Sequence, residues 1–217
     1  MTKIRKESVS CPKCGKSFDI TLTESVNTSL NPENTDKVLS GEIFRHTCPN
    51  CETSVFVDSP LLYHQMNDGI MIQYAPGYDN MAEIVEAFDN VRKNLTSELP
   101  SDLSYTYRIV STLNELKEKI CILDRGMDDR AVELMKVVIY GKFLETQPEL
   151  QIEEFLLEAR KDEELRFVFR VSDGRWGYTD YDPRLYGALK EQFIPETEDI
   201  NENYIVNFAW AVDRLSD

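Results

Sequence analysis

No apolar run in this 217-residue chain approaches the roughly 18 residues needed to cross a bilayer. The opening MTKIRKESVS is charged and holds no apolar stretch, so no secretory signal is expected. Reduced thiols and a cytoplasmic setting follow as the expectation. Lysine and arginine number 24 against 39 aspartates and glutamates, a net charge of −15. Affinity for phosphate backbones and anionic lipid rests on clustered cations, so this balance disfavours nucleic acid and excludes a membrane surface as partner. Histidine is scarce, with two in the chain, and no G-x-S-x-G, H-E-x-x-H or phosphate-loop pattern occurs. Low-complexity tracts are also missing. At 41% hydrophobic and 29% charged, the chain has the balance of a soluble folded protein of one or two domains.

The acidity is uneven. Residues 1–60 carry seven Lys/Arg and eight Asp/Glu, whereas residues 61–217 carry 17 and 31. The acidic part reads as a solvated surface.

Four of the five cysteines fall in two pairs, Cys11-Pro12-Lys13-Cys14-Gly15 and Cys48-Pro49-Asn50-Cys51. C-x-x-C spacing lets two thiolates fold back onto one metal ion, and four sulfur ligands make a closed tetrahedral site of the structural zinc kind. The competing readings are buried free thiols and a redox dithiol. A redox pair would open a helix after a strand. Here strand-like residues follow both pairs, and one structural Zn²⁺ on Cys11, Cys14, Cys48 and Cys51 is expected.

Other candidates have plain alternatives. Lys13, Lys16 and Arg45 would offset the charge of a zinc held by four thiolates, or are ordinary exposed cations. His46 is a strand residue or a neighbour of the metal. His64 has no visible nucleophile beside it, and Cys121 reads as a small buried hydrophobe. Asp128-Asp129 reads as a helix cap rather than a catalytic pair, since adjacent helix-start side chains diverge by about 100°. Tyr178 to Asp182 fits a hairpin strand followed by a cap. No catalytic constellation stands out, and a non-enzymatic protein is expected.

Hydrophobic period supplies the elements. Phe18, Ile20 and Leu22 alternate as a strand leaving the first pair. Phe44–Thr47 and Val55–Val57 flank the second. Between the pairs lie 33 residues, longer than a compact zinc module, with a short helix bounded by Pro32 and Gly41. Glu52 stands where the first knuckle has Gly15; if that position needs positive φ, glutamate costs up to about 1–2 kcal/mol. Leu61–His64 and Gly69–Tyr74 read as a hairpin around Asn67-Asp68-Gly69. A helix from Met81 carries Ile84, Phe88, Val91 and Leu95, with Pro100 and Ser101 as punctuation, and Tyr105–Val110 is a strand. Thr112 and Glu115 have capping-box spacing for a helix with Leu113, Leu116, Ile120 and Leu123 inside, stopped by Gly126. The next helix carries Val132, Met135, Ile139 and Phe143 and breaks at Gln147-Pro148. Ile152, Phe155, Leu156 and Ala159 predict another short helix. Residues 165–171 and 175–181 predict a hairpin, Asp182-Pro183 opens a helix to Phe193, and Ile205, Phe208, Val212 and Leu215 mark the last one.

The two Cys-Pro-Xaa-Cys motifs, their gap and Leu61-Leu62-Tyr63-His64-Gln65-Met66 together resemble the bacterial and archaeal CpXC family. Arg108-Ile109-Val110, Leu113-Asn114-Glu115-Leu116 and Asp128-Asp129-Arg130 resemble the later part of those proteins. The likeness covers roughly residues 8–135 and implies the same four cysteine ligands, without implying an activity. Glu52 departs from the family's common glycine. The expectation is an α+β protein: an N-terminal β-rich zinc-ribbon-like unit packed with a mainly helical region containing a β-hairpin. Residues 8–125 would form the CpXC-like domain, with a ribbon core at 8–78, and 126–217 a C-terminal α+β region. The expected role is a zinc-stabilised interaction module with an unidentified protein partner. A nucleic-acid-binding ribbon and an enzyme with a site dispersed in sequence are the alternatives.

Overall fold

The computed structural model describes residues 3–78, 80–96, 104–160 and 164–216. The chain is mixed α+β and divides into two compact units, Met1–Lys117 and Glu118–Asp217.

Unit 1 is built on a five-stranded mixed sheet. Its strands are β1 (Lys3–Ser10), β2 (Ser17–Asn27), β5 (Leu61–Gln65), β6 (Ile70–Tyr74) and β7 (Thr106–Val110), in that spatial order. Pairs β1–β2 and β5–β6 are antiparallel, while β2–β5 and β6–β7 are parallel. Between β2 and β5 come α1 (Glu33–Ser40) and the two-stranded β3 (Arg45–Thr47) and β4 (Ser54–Phe56). Helix α2 (Met81–Thr96) links β6 to β7, and α3 (Leu113–Leu123) follows. The alternation read in Phe18, Ile20 and Leu22 buries those three side chains. The charged first residues, expected only as a lead-in at Val9 and Ser10, form the whole edge strand β1. Its pairing with β2 supplies the order that its own solvent-facing side chains cannot. Gly69 has no room for a side chain, because a Cβ would stand 2.2 Å from the Ser104 carbonyl oxygen. The capping box is formed: the Glu115 amide donates to Thr112 Oγ1 at 3.1 Å and the Thr112 amide to Glu115 Oε2 at 3.0 Å. In α2, Phe88 is buried but Val91 is exposed. The Leu95 side chain, Pro100 and Ser101 lie outside the described residues.

Unit 2 holds the end of α3, then α4 (Asp129–Thr146), β8 (Ile152–Ala159), β9 (Leu165–Val171), β10 (Trp176–Asp180), α5 (Pro183–Phe193) and α6 (Phe208–Ser216). The predicted helix at Ile152–Ala159 is a strand. Glu, Leu and Ala favour helix locally, and positions 152, 155, 156 and 159 also satisfy a helical period. Tertiary pairing overrides both: β8 lies antiparallel to β9, with Phe155 opposite Phe169 and Leu157 opposite Phe167. The expected hairpin is therefore part of a three-stranded sheet, ordered β10-β9-β8. Its inner face, with α4, α5 and α6, forms one apolar core that includes Met135, Leu157, Phe167 and Leu189. In α6 the core residue is Ala211, while Val212 is exposed and Ile205 precedes the helix.

The first turns of α4 are buried all round, polar residues included. Lys119 Nζ lies 2.9 Å from Asp129 Oδ2 and 2.9 Å from Glu133 Oε1. Lys136 Nζ lies 2.8 Å from Glu118 and 3.1 Å from Glu133. Glu118 Oε1 accepts the Leu157 amide at 2.5 Å, tying the network to β8.

Candidate metal centre

Each knuckle closes by the same two backbone bonds. The Gly15 amide donates to the Cys11 carbonyl at 2.9 Å and the Cys11 amide to the Lys16 carbonyl at 3.0 Å. In the second knuckle the Glu52 amide donates to Cys48 and the Cys48 amide to Thr53, both at 2.9 Å. The turn needs a left-handed residue at its exit. Gly15 takes φ 71° there, and Glu52 takes φ 58° as the one non-glycine residue with positive φ among the described residues. The condition attached to Glu52 in the sequence is met, so the second knuckle carries backbone strain.

The knuckles bring four thiols together. Cys11 and Cys48 are buried, Cys51 is half-buried and Cys14 is exposed. Cys11 Sγ stands 3.6 Å from Cys51 Sγ, and Cys14 Sγ stands 3.8 Å from Cys48 Sγ. All four sulfurs lie within 4.8 Å of one another. These separations are far from an S–S bond of about 2.05 Å. They match a tetrahedron about an ion, for which metal–sulfur bonds of about 2.3 Å give edges of ~3.8 Å. Phe18, Ile20, Leu22 and Val55 pack with Cys11 and Cys48 in a small apolar cluster of their own, so the thiols are part of that core.

The electrostatics fit a cation. The Lys16 amide favours a Cys14 thiolate, but burial and the three neighbouring thiols outweigh it and push the thiol up to about 11. The hydroxyl and amide of Thr53 draw Cys51 down to about 6. Four crowded thiols do not all ionise without positive charge between them, which a metal ion would supply. Lys13 and Lys16 are exposed, and Arg45 stacks over Phe56 at 5.7 Å.

A family model described as CpXC protein matches residues 9–136, more than half of the chain and all four cysteines. The chain belongs to the CpXC family. No curated protein and no solved structure matches it.

The remaining candidates of this CpXC protein are not members of the four-sulfur cluster. His46 sits on β3 with its Nε2 buried and without a hydrogen-bond partner among the described residues, and burial lowers its pKa. His64 Nε2 is 2.9 Å from the Tyr105 hydroxyl, inside an aromatic group where Tyr105 stacks on Tyr107. Cys121 is half-buried rather than buried: Arg125 Nη1 donates to its carbonyl at 2.9 Å and stands 3.3 Å from its sulfur. Asp128 caps α4, accepting the Arg130 amide at 3.1 Å, whereas Asp129 is the buried partner of Lys119. Asp182 caps α5 through the Arg184 amide at 2.9 Å. Residues 118, 119, 133 and 136 escaped notice in the sequence because charge on a helix normally marks the solvent side. The available signal was their spacing: 129, 133 and 136 share one helical face.

Proposed function

We propose that this CpXC protein is a non-enzymatic protein-interaction module whose N-terminal unit is held together by one structural Zn²⁺ on Cys11, Cys14, Cys48 and Cys51. The observation that carries the reading is the set of four converging cysteine sulfurs at tetrahedral separations. Four protein ligands leave no coordination position for a substrate, which is the mark of structural rather than catalytic zinc. Tetrahedral four-thiolate sites take zinc or iron, and the metal content measured below separates the two. A protein partner is preferred to nucleic acid on the net charge of −15. The reading places the protein in the cytoplasm, where thiolates stay reduced.

The test is metal content per chain in tag-free protein purified under reducing conditions. About one zinc per chain is expected, lost together with stability on Cys11→Ser or Cys48→Ser. A value near zero with four readily titrated thiols would replace zinc by redox chemistry, and red-brown absorbing protein would replace it by iron.

A further inference from the structure

Strand β10 closes one side of the unit 2 sheet and has no neighbouring strand beyond it among the described residues. Its register tells which backbone groups are free. The Val171 amide donates to the Arg175 carbonyl and the Tyr181 amide to the Leu165 carbonyl. Residues 175, 177, 179 and 181 therefore bond to β9, while 176, 178 and 180 direct their amides and carbonyls outward from the open edge. The same three residues put their side chains on the outer face. Gly177 marks the inner one, where a Cβ would stand 2.4 Å from the Phe169 ring.

The outer face is unusual for water. Trp176 is 59% exposed and Tyr178 is 70% exposed, side by side on one strand. Both border an open cavity of about 290 Å³, completed by Glu158, Arg166, Val168 and Gly177. Open edges are normally defended by charge, and this chain does so at β1, where Lys3, Arg5, Lys6 and Glu7 are exposed along the edge. β10 instead offers the residue types that anchor protein interfaces.

Charge decides what fits. Arg166 is paired with Glu158 at 2.6 Å and Arg175 with Asp173 at 2.7 Å. Arg170 is held by Glu153 and Glu154. Each of these arginines is spent, and Asp180 remains exposed on the edge with no ion pair among the described residues. Across residues 152–182 the sequence holds nine acidic and five basic side chains. We propose that β10 accepts an extended, basic segment of a partner protein by strand addition. Backbone bonds at residues 176, 178 and 180 would supply affinity, and the Trp176–Tyr178 face with Asp180 would select apolar and cationic side chains. The Arg166 guanidinium, already 5.6 Å from the Tyr178 ring centre, illustrates how that ring receives a cation.

This inference rests on reading the chain as an interaction module but needs no metal, so zinc content decides the first reading and a peptide titration decides this one. The probes are a fluorescein-labelled heptapeptide alternating Val with Lys and its Val–Glu counterpart, followed by anisotropy against the whole chain. The lysine peptide is expected to bind and the glutamate peptide to fail. Trp176→Ala and Tyr178→Pro are each expected to weaken binding at least about tenfold. Proline at 178 removes an edge amide without breaking a bond to β9; if that variant does not fold, Tyr178→Ala carries the same test. Equal binding of both peptides, or unchanged affinity in the variants, overturns the proposal. Binding of a ten-nucleotide single-stranded DNA that Trp176→Ala abolishes overturns it in favour of nucleic acid. Concentration-dependent dimerisation lost in Tyr178→Pro overturns it in favour of a second copy.

Discussion

At the knuckles four thiols converge within 4.8 Å, and in unit 2 three carboxylates and two ammonium groups meet beneath α4 and β8. The sulfur cluster carries charge of one sign and calls for an ion from outside. The α4 cluster contains both signs: Lys119 bridges Asp129 and Glu133, Lys136 bridges Glu118 and Glu133, and Arg130 adds its charge beside Asp129. Burial still tells on one member of it. Desolvation pushes Glu118 up to about 7 against the pull of Lys136, while Glu133 Oε2 has no hydrogen-bond partner among the described residues. A metal ion would balance the sulfur cluster, whereas the α4 cluster is balanced from within and has Glu118 as its titratable member. On the proposed function, the first would respond to metal removal and the second to pH.

Removing the metal is the largest perturbation. Structural zinc contributes on the order of 10 kcal/mol to a small folded unit, and the knuckle core is little more than the cysteines with Phe18, Ile20, Leu22 and Val55. Chelation or Cys48→Ser is expected to melt the knuckles at ambient temperature, as read by loss of near-ultraviolet dichroism. Both tryptophans, Trp176 and Trp210, lie in unit 2, so their fluorescence follows that unit separately. If chelation collapses the tryptophan signal as well, the metal organises more than its own unit and the comparison breaks.

Lys136→Met comes next. It leaves Glu118 and Glu133 with one lysine fewer and is expected to cost about 3–5 kcal/mol in urea unfolding, because a buried charge loses its partner. Adding Glu118→Gln to Lys136→Met should recover part of that loss. If the double variant is no better than the single one, the cluster acts by packing and not by charge.

Titration sharpens the contrast further. Glu118 titrates near its ordinary 4.5 when unfolded and at about 7 when folded, so the folded state holds a proton that the unfolded state has released between those values. Stability from this group is fully present below about 4.5 and is lost as pH rises through about 7, by up to about 3 kcal/mol. Urea midpoints measured from pH 5 to pH 8 should fall more in the native protein than in Glu118→Gln. Equal slopes would show that Lys136 neutralises Glu118 throughout the range.

The two regions were not equally legible in the sequence. The knuckles were readable because C-x-x-C encodes its geometry locally, within one turn of backbone, down to the positive φ at residue 52. The capping box at Thr112 and Glu115 and the α4 cap at Asp128 are local in the same way. The α4 cluster was hidden because Lys119, Glu133 and Lys136 are ordinary surface residues until a second element covers them. β8 was misread for the same reason: Glu-Glu-Phe-Leu-Leu-Glu-Ala prefers helix in isolation and becomes strand only through pairing with β9. Information carried by long-range contacts leaves no mark on a single stretch.

Glu52 offers the smallest and most local test of the sulfur side of the contrast. The two knuckles share their backbone bonds, yet one exits through glycine and the other through glutamate at φ 58°. Glu52→Gly relieves the steric cost of a left-handed residue, up to about 1–2 kcal/mol, and adds backbone freedom to the unfolded chain, so a net gain of about 0.5–1 kcal/mol is expected. Gly15→Ala is the mirror experiment and should lose about 1 kcal/mol, since no neighbouring atom within 4 Å opposes the new methyl and the penalty is conformational alone. Melting of the metal-loaded protein measures both changes. Opposite signs at residues 15 and 52 would mean that the knuckles are equivalent turns tuned by one backbone angle. A loss at both would mean that the Glu52 side chain contributes something to the second knuckle that glycine cannot replace.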